Sequence, residues 1–274
     1  MKFQLTGSIV IYKNERKTLK EAIKSFLNTQ LNVRLYLIDN SPDDSLKDMC
    51  DDKRCVYIFS NSNLGFGKAH NIALRKSIEE ARYHLVLNPD VYFLPGTLEK
   101  IYSYMEEHAD VGQVMPKVLH PDGETQHLCK LLPTPADLIL RRFFTGIPAM
   151  ERRNKIYELH ESGYDKIMNI PYLSGCFMYL RTETLKEIGF FDERIFMYIE
   201  DADLTRRIHR EYKTLFYPDA QIYHHYAKGS YRNFRLMLYN VHGAFIYFTK
   251  WGWFFDRERK AINKQVRETY LNHR

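Results

Sequence analysis

The sequence predicts an α/β protein with a mostly parallel central sheet flanked by helices, and three observations predict it. Short apolar runs alternate with segments of helical periodicity through the first third of the chain. Those runs are apolar throughout, as strands covered on both faces are. The links that follow them are rich in Asn, Asp, Gly and Pro, at the strand ends where open α/β sheets collect ligands. With 274 residues, 45% of them apolar, the chain is long enough to bury such a core.

The elements follow in order. SIVIY (8–12) is β-branched and apolar, and reads as the first strand. From Thr18 to Leu27 apolar residues fall at Leu19, Ala22, Ile23, Phe26 and Leu27, one stripe of a helix. VRLYLID (33–39) is the second strand, broken into a loop by Pro42 and its Asp and Ser neighbours. CVYIFS (55–60) is the third strand, GKAHNIALRKSIEEA (67–81) a helix and HLVLN (84–88) the fourth strand. That last strand runs into Asn88-Pro89-Asp90, so a buried strand delivers a carboxylate at its tip.

Composition narrows the partners. Forty Lys and Arg against thirty-four Asp and Glu give a net charge of +6, spread along the chain. This suits an anionic substrate or an anionic membrane surface and does not point to nucleic acid. The four cysteines form no CxxC pair and read as free thiols of a reducing compartment. The first residues, MKFQLTGSIVIYKNE, lack the apolar core and cleavage site of a leader, and no run reaches the roughly 18 apolar residues of a spanning helix. A cytoplasmic location is expected.

The loop NLGFGKAHN after the third strand invites two nucleotide-binding readings, and both fail. A phosphate-binding GK loop needs a glycine five residues upstream and a Ser or Thr next, where this chain has Ser62 and Ala69. A dinucleotide fingerprint needs a third glycine and the first strand before it. What remains is that Gly65 and Gly67 allow a close backbone approach and that the helix beginning there offers free N–H groups to an anion.

Taken together, LIDNSPDD, NLGFGKAHN, LNPD and LSGCFMYLRTETLKEIGFFDERIFMYIEDADLTRRI (173–208) resemble, in that order, the family 2 inverting glycosyltransferases of GT-A fold, in their rhamnosyltransferase-like branch. The resemblance covers about residues 5–232. It implies a GT-A domain over 1–232, with 233–274 as a helical aromatic and basic extension. It implies that Asp39 binds the donor nucleobase and that Tyr12, Asn14, Asn63, Gly65, Gly67, Asn71 and Asn88 surround the nucleotide sugar. Asp90 then holds Mn2+ or Mg2+ against the donor diphosphate, with Asn88 contributing no charge of its own.

The segment IEDADLTRRIHRE (199–211) supplies the second centre. Acids at a helix start complement its dipole, which by itself accounts for Glu200, Asp201 and Asp203. Leu204 and Ile208 lie four apart and face a core, and Asp203 is spaced to pair with Arg206 or Arg207. The resemblance makes Asp201 the general base, with Glu200 as the alternative. It also implies that His225, five residues before Ser230, approaches the metal, with His224 competing for that role. Residues 117–170 say least about function.

The expected activity is inverting transfer of rhamnose or another hexose from a dTDP- or UDP-sugar to a hydroxyl of a cell-surface or lipid-linked glycan. A nucleotidyltransferase and a non-catalytic carbohydrate-binding module are the alternatives. Past Tyr231, Trp251, Trp253, Phe254 and Phe255 crowd beside Lys250, Arg257, Arg259 and Lys260. That mixture fits either a peripheral contact at the headgroup level or a packed or homodimeric surface.

Overall fold

The computed structural model describes residues 1–140, 147–225 and 234–271. Strands β1 (Phe3–Ile11), β2 (Val33–Asp39), β3 (Cys55–Phe59) and β4 (Ala81–Leu87) form the expected parallel half of the sheet, in the order β3-β2-β1-β4. The second half is mixed. After the two-residue strands β7 (Cys129–Lys130), β8 (Met168–Asn169) and β9 (Tyr172–Leu173), a strand β10 (Phe177–Arg181) enters antiparallel beside β4 and joins it to β6 (Val111–Leu119). Next to β6 runs β11 (Lys213–His224), parallel to it, with the short β5 (Val91–Tyr92) antiparallel at the edge.

Helices cover both faces. On β4, Leu85 and Leu87 point into one core cluster and Val86 into another, as the two-residue pleat requires. Helix α1 (Arg16–Leu27) buries Leu19, Ala22, Ile23 and Phe26 on the first face. Helix α2 (Phe66–Glu80) sends Leu74 to the opposite face. There it meets α6 (Glu200–Glu211), whose Leu204 and Ile208 are fully buried as their spacing predicted. Helices α3 (Thr97–Glu107), α4 (Pro148–Tyr157) and α5 (Thr182–Ile188) lie between these in sequence.

Two helices close the chain, α7 (Phe234–Trp251) and α8 (Arg257–Tyr270). Tyr247, Phe248 and Val266 join the main core cluster. Asn263 brackets Leu132, accepting from its N–H and donating to its carbonyl, both at 2.8 Å. None of the helices is long and apolar enough to cross a membrane, among the described residues.

The reading of four free thiols is corrected for two of them. Cys50 and Cys55 are joined by a disulfide, while Cys129 and Cys176 are buried free thiols. A 3-10 turn at Lys47–Met49 and a reversal at Asp52 fold the loop back on the start of β3, bringing the two Cα atoms within 5.5 Å. Nothing in the spacing alone signals that return.

A buried polar cluster pins α2 to the sheet. His84 Nε2 lies 2.8 Å from Ser8 Oγ and its Nδ1 2.7 Å from Ser77 Oγ, while Ser8 Oγ also meets His70 Nδ1 at 2.7 Å. Burial depresses both imidazoles, His84 to about 3. A histidine held neutral by the fold contributes stability above its unfolded pKa and loses it as pH falls towards the folded value. The urea midpoint is therefore expected to drop steadily from about pH 6.5 downward, by an amount worth a few kcal/mol, ~5 at most, from His84 alone. A midpoint unchanged between about pH 7 and about pH 4 would contradict this.

Candidate active site

The cleft at the carboxyl ends of the strands has a volume of about 700 Å³ and is lined, among others, by Asn14, Asn88, Asp90, Glu200, Asp201 and His224. It thus unites the two centres that lie over a hundred residues apart in sequence.

The first wall begins where β4 ends. Asn88 N–H donates to Cys176 O at 2.9 Å, so β10 fixes the turn that presents Asp90. Pairing of β5 with β11 sets Val91 opposite His224, and His224 Nε2 stands 3.4 Å from Asp90 Oδ1. On its other side His224 Nδ1 meets Gln126 Oε1 at 3.0 Å, and Gln126 Nε2 donates to the carbonyl of His224 at 2.8 Å. Because an amide oxygen only accepts, the Nδ1 position carries the proton, and Nε2 is the nitrogen that faces the carboxylate. With a cation present, an imidazole Nε2 and a carboxylate oxygen so placed are both suited to ligate it.

His225, expected nearest the metal, does not line this cleft. Successive side chains alternate along a strand, so His225 takes the opposite side. Its ring lies over Tyr92 and towards Glu21, with Nε2 3.4 Å from Glu21 Oε2, and only its backbone N–H reaches Asp90, donating to the main-chain carbonyl. Ser230 and its neighbours lie outside the described residues. Among the described residues no group of three His, Cys, Asp or Glu is gathered to hold a metal. Asp90 and His224 fit a cation that takes its remaining ligands from diphosphate oxygens and water, which is how hard divalent ions are held at phosphate sites.

The second wall is the start of α6. Tyr198 and Ile199 both adopt positive φ, at 71° and 68°, an uncommon conformation for bulky residues. Gly243 of α7 packs so tightly beneath that a Cβ there would lie 2.9 Å from Tyr198 O. Asp201 follows. Its Oδ2 accepts from Gly175 N–H and its Oδ1 from Ala202 N–H, both at 2.8 Å. Burial raises the Asp201 pKa from the ordinary aspartate value, against the charge of Lys130 and the hydrogen bonds from Gly175, Ala202 and Tyr172. Glu200 is buried, and burial together with the neighbouring Asp201 charge pushes it up strongly. The charges of both Asp90 and Asp201 reach Cys176, whose buried thiol is pushed up to about 12.

The expected nucleotide contacts divide. Asn14 and Asn88 line the cleft. Tyr12, half exposed, does not, and its N–H is held by Asn14 Oδ1. Asp39 is fully buried; one oxygen accepts from Ser41 N–H and the other from Tyr57 OH at 2.7 Å, so its carboxylate is not offered to the cleft. Asn63 caps Gly65 N–H at 3.1 Å.

The glycines were expected to admit a ligand, and on the side a Cβ would occupy they are packed against protein. At Gly65, φ +80°, a Cβ would lie 2.2 Å from Phe196 O, and at Gly67 it would lie 2.7 Å from Phe191 Cβ. Asn71 is buried, bonded to both the carbonyl and the N–H of Phe191, and clamps the 191–193 segment. Gln126, Lys130 and Tyr172 of the cleft were not singled out by sequence. They come from short, aperiodic pieces, and only the turn His120–Gly123 marks that stretch.

The fold and this cleft define a GT-A type architecture, in which the strand ends of the sheet face an acidic helix start. Residues 8–189 match the model of glycosyl transferase family 2, and the chain belongs to that family. It is 26% identical over 186 residues to the N-acetylglucosaminyl-diphospho-decaprenol L-rhamnosyltransferase of Mycobacterium tuberculosis, a match spanning 64% of this chain and 60% of that protein. It is 25% identical over 233 residues to the rhamnosyltransferase WbbL of Escherichia coli (strain K12), covering 82% of this chain and 85% of that one. In fold it is similar to GalNAc-T7 solved with UDP, GalNAc and Mn2+, with a TM-score of 0.62 and 15% identity over 83% of this chain and 44% of that chain.

Proposed function

We propose that the chain transfers a deoxyhexose or hexose, rhamnose from a dTDP donor before a UDP-sugar, with inversion onto a hydroxyl of a growing cell-surface or lipid-linked glycan. The observation that carries this reading is that Asp90 with His224, and Asp201 with Glu200, line one cleft. The rhamnosyltransferase relatives support the donor sugar, and the Mn2+ in the GalNAc-T7 structure supports a divalent metal.

In that reaction Asp201 accepts the proton of the acceptor hydroxyl. The hydroxyl oxygen forms the new bond to the anomeric carbon as the bond to the diphosphate breaks, its electron pair leaving with the diphosphate on the opposite face. The two N–H groups on Asp201 fix the carboxylate, and its raised pKa makes it a stronger base than a solvated aspartate. Asp90 and His224 would hold the divalent ion, which when bound neutralises charge on the leaving diphosphate.

The test is a screen of dTDP-, UDP-, GDP- and CDP-sugars with manganese, read by nucleoside diphosphate release and by the anomeric configuration of the product. Retention of configuration, or release of pyrophosphate, would overturn the reading. Asp90→Ala is expected to abolish metal-stimulated donor binding, measured by calorimetry. His224→Ala and Gln126→Leu should each raise the manganese requirement about 10- to 100-fold, and Asn88→Ala should weaken binding in part. His225→Ala should leave it unchanged. Activity indifferent to EDTA would argue for a metal-free site.

A further inference from the structure

A second groove, of about 840 Å³, lies between α4 and α8 and meets the cleft at Asp137 and Tyr157, which line both. Its chemistry differs. Six cations line it against one acid, Asp137, and that acid is paired with Arg153 at 2.7 Å. Arg152, Lys260, Lys264 and Arg267 stand exposed along its sides. Trp253 and Phe254 form one end, and Phe254 and Phe255 on the turn between α7 and α8 are 72% and 93% exposed.

The aromatic residues of this region separate into two sets. Trp251 Nε1 donates to Asp203 at 2.7 Å, Lys250 Nζ lies 2.8 Å from Asp203, and Arg259 is buried on the carbonyls of Pro133, Gly252 and Trp253. These three, expected at a membrane surface, are spent on the fold, because the phase of α7 turns residues 247, 248 and 251 inward. The residues left outward are two large rings and a row of cations.

We propose that this groove and the Phe254–Phe255 turn seat the protein on an anionic phospholipid bilayer. Lys264 also lies 3.8 Å from Glu268, but the cations lining the groove still outnumber its acids, an excess that complements anionic headgroups, and exposed rings on a turn gain from insertion at the acyl boundary. A contact so placed sets the mouth of the cleft beside the bilayer. The surface does not depend on the donor or acceptor assigned above.

The experiment is sedimentation of the full chain with vesicles of phosphatidylcholine alone and of phosphatidylcholine with phosphatidylglycerol. Binding is expected to the mixed vesicles only and to weaken with added salt. The triple reversal Lys260→Glu, Lys264→Glu, Arg267→Glu should lower partition about 100-fold or more, and Phe254→Ser with Phe255→Ser about 10-fold or more, both with the thermal midpoint of the parent. Should the reversal fail to fold, quenching of tryptophan fluorescence by acyl-brominated lipid in the unaltered protein decides, since Trp253 borders the groove. Equal binding to neutral vesicles, absence of quenching, or folded variants that bind as the parent does would overturn the proposal. So would a homodimer that the reversals split and that ignores vesicles.

Discussion

Asp201→Asn is expected to lower turnover about 100- to 10,000-fold while donor affinity stays within about twofold. Asparagine preserves the volume and one acceptor for Gly175 or Ala202, so the α6 start keeps its shape, and what disappears is the ability to take a proton. The acid limb of the pH profile gives the second reading. Burial raises the Asp201 pKa, so activity should rise through a value above that of an ordinary aspartate, and that limb should vanish in the variant. Glu200 provides the control. Burial and the Asp201 charge favour its neutral form, which glutamine mimics, and Glu200→Gln should retain most of the turnover. A raised folded pKa means its stabilising contribution is full below the unfolded pKa and is lost as pH rises through the folded one. Glu200→Gln should therefore be at least as stable as the parent at neutral pH. If Glu200→Gln is the dead variant and Asp201→Asn the active one, the base is Glu200.

The parallel half of the sheet was legible because each strand is a short apolar run ended by Pro, Asn or Asp, and each helix carries a stripe of spacing three and four. The antiparallel entry of β10 was not. It depends on a pairing between residues about ninety apart that leaves no local trace. The site follows the same division. Asp90 and Asp201 were singled out because motifs mark them, and both line the cleft. The choice between His224 and His225 depends on the side of β11 that faces β5, a matter of register that two adjacent identical residues conceal. The glycine-rich loop was ambiguous for a related reason. A glycine signals close approach without saying what approaches, and at Gly65 and Gly67 it is the 191–196 segment. Asp39 likewise stands at its expected strand tip, but Tyr57 of the neighbouring strand closes over it.

Asp256→Ala is expected to destabilise the protein by ~3–5 kcal/mol, read as a lower urea midpoint with an unchanged slope. Arg206 is among the largest fully buried side chains and lies on α6, the helix that bears Asp201. Sequence spacing offered it Asp203, but Asp203 pairs with Arg207, at 3.0 Å, and with Lys250. Arg206 instead reaches across to the C-terminal helices. It meets both oxygens of Asp256, at 2.8 and 3.0 Å, and Glu258 at 2.6 Å, with Trp251 against its guanidinium. Burial works against the Asp256 charge, yet Arg206 and the Arg259 N–H hold its pKa below the usual range. Alanine leaves a buried guanidinium with Glu258 as its remaining carboxylate and removes the N-terminal cap of α8, where Asp256 accepts from Arg259 N–H at 2.9 Å. Asp256→Asn keeps an acceptor for both and should cost less. Replacing the pair together by Met and Leu should recover most of the loss, since a packed apolar pair does not have to offset the desolvation of two charges. A double-mutant cycle in which the Arg206 and Asp256 effects simply add would show that the pair does not couple α6 to the C-terminal helices.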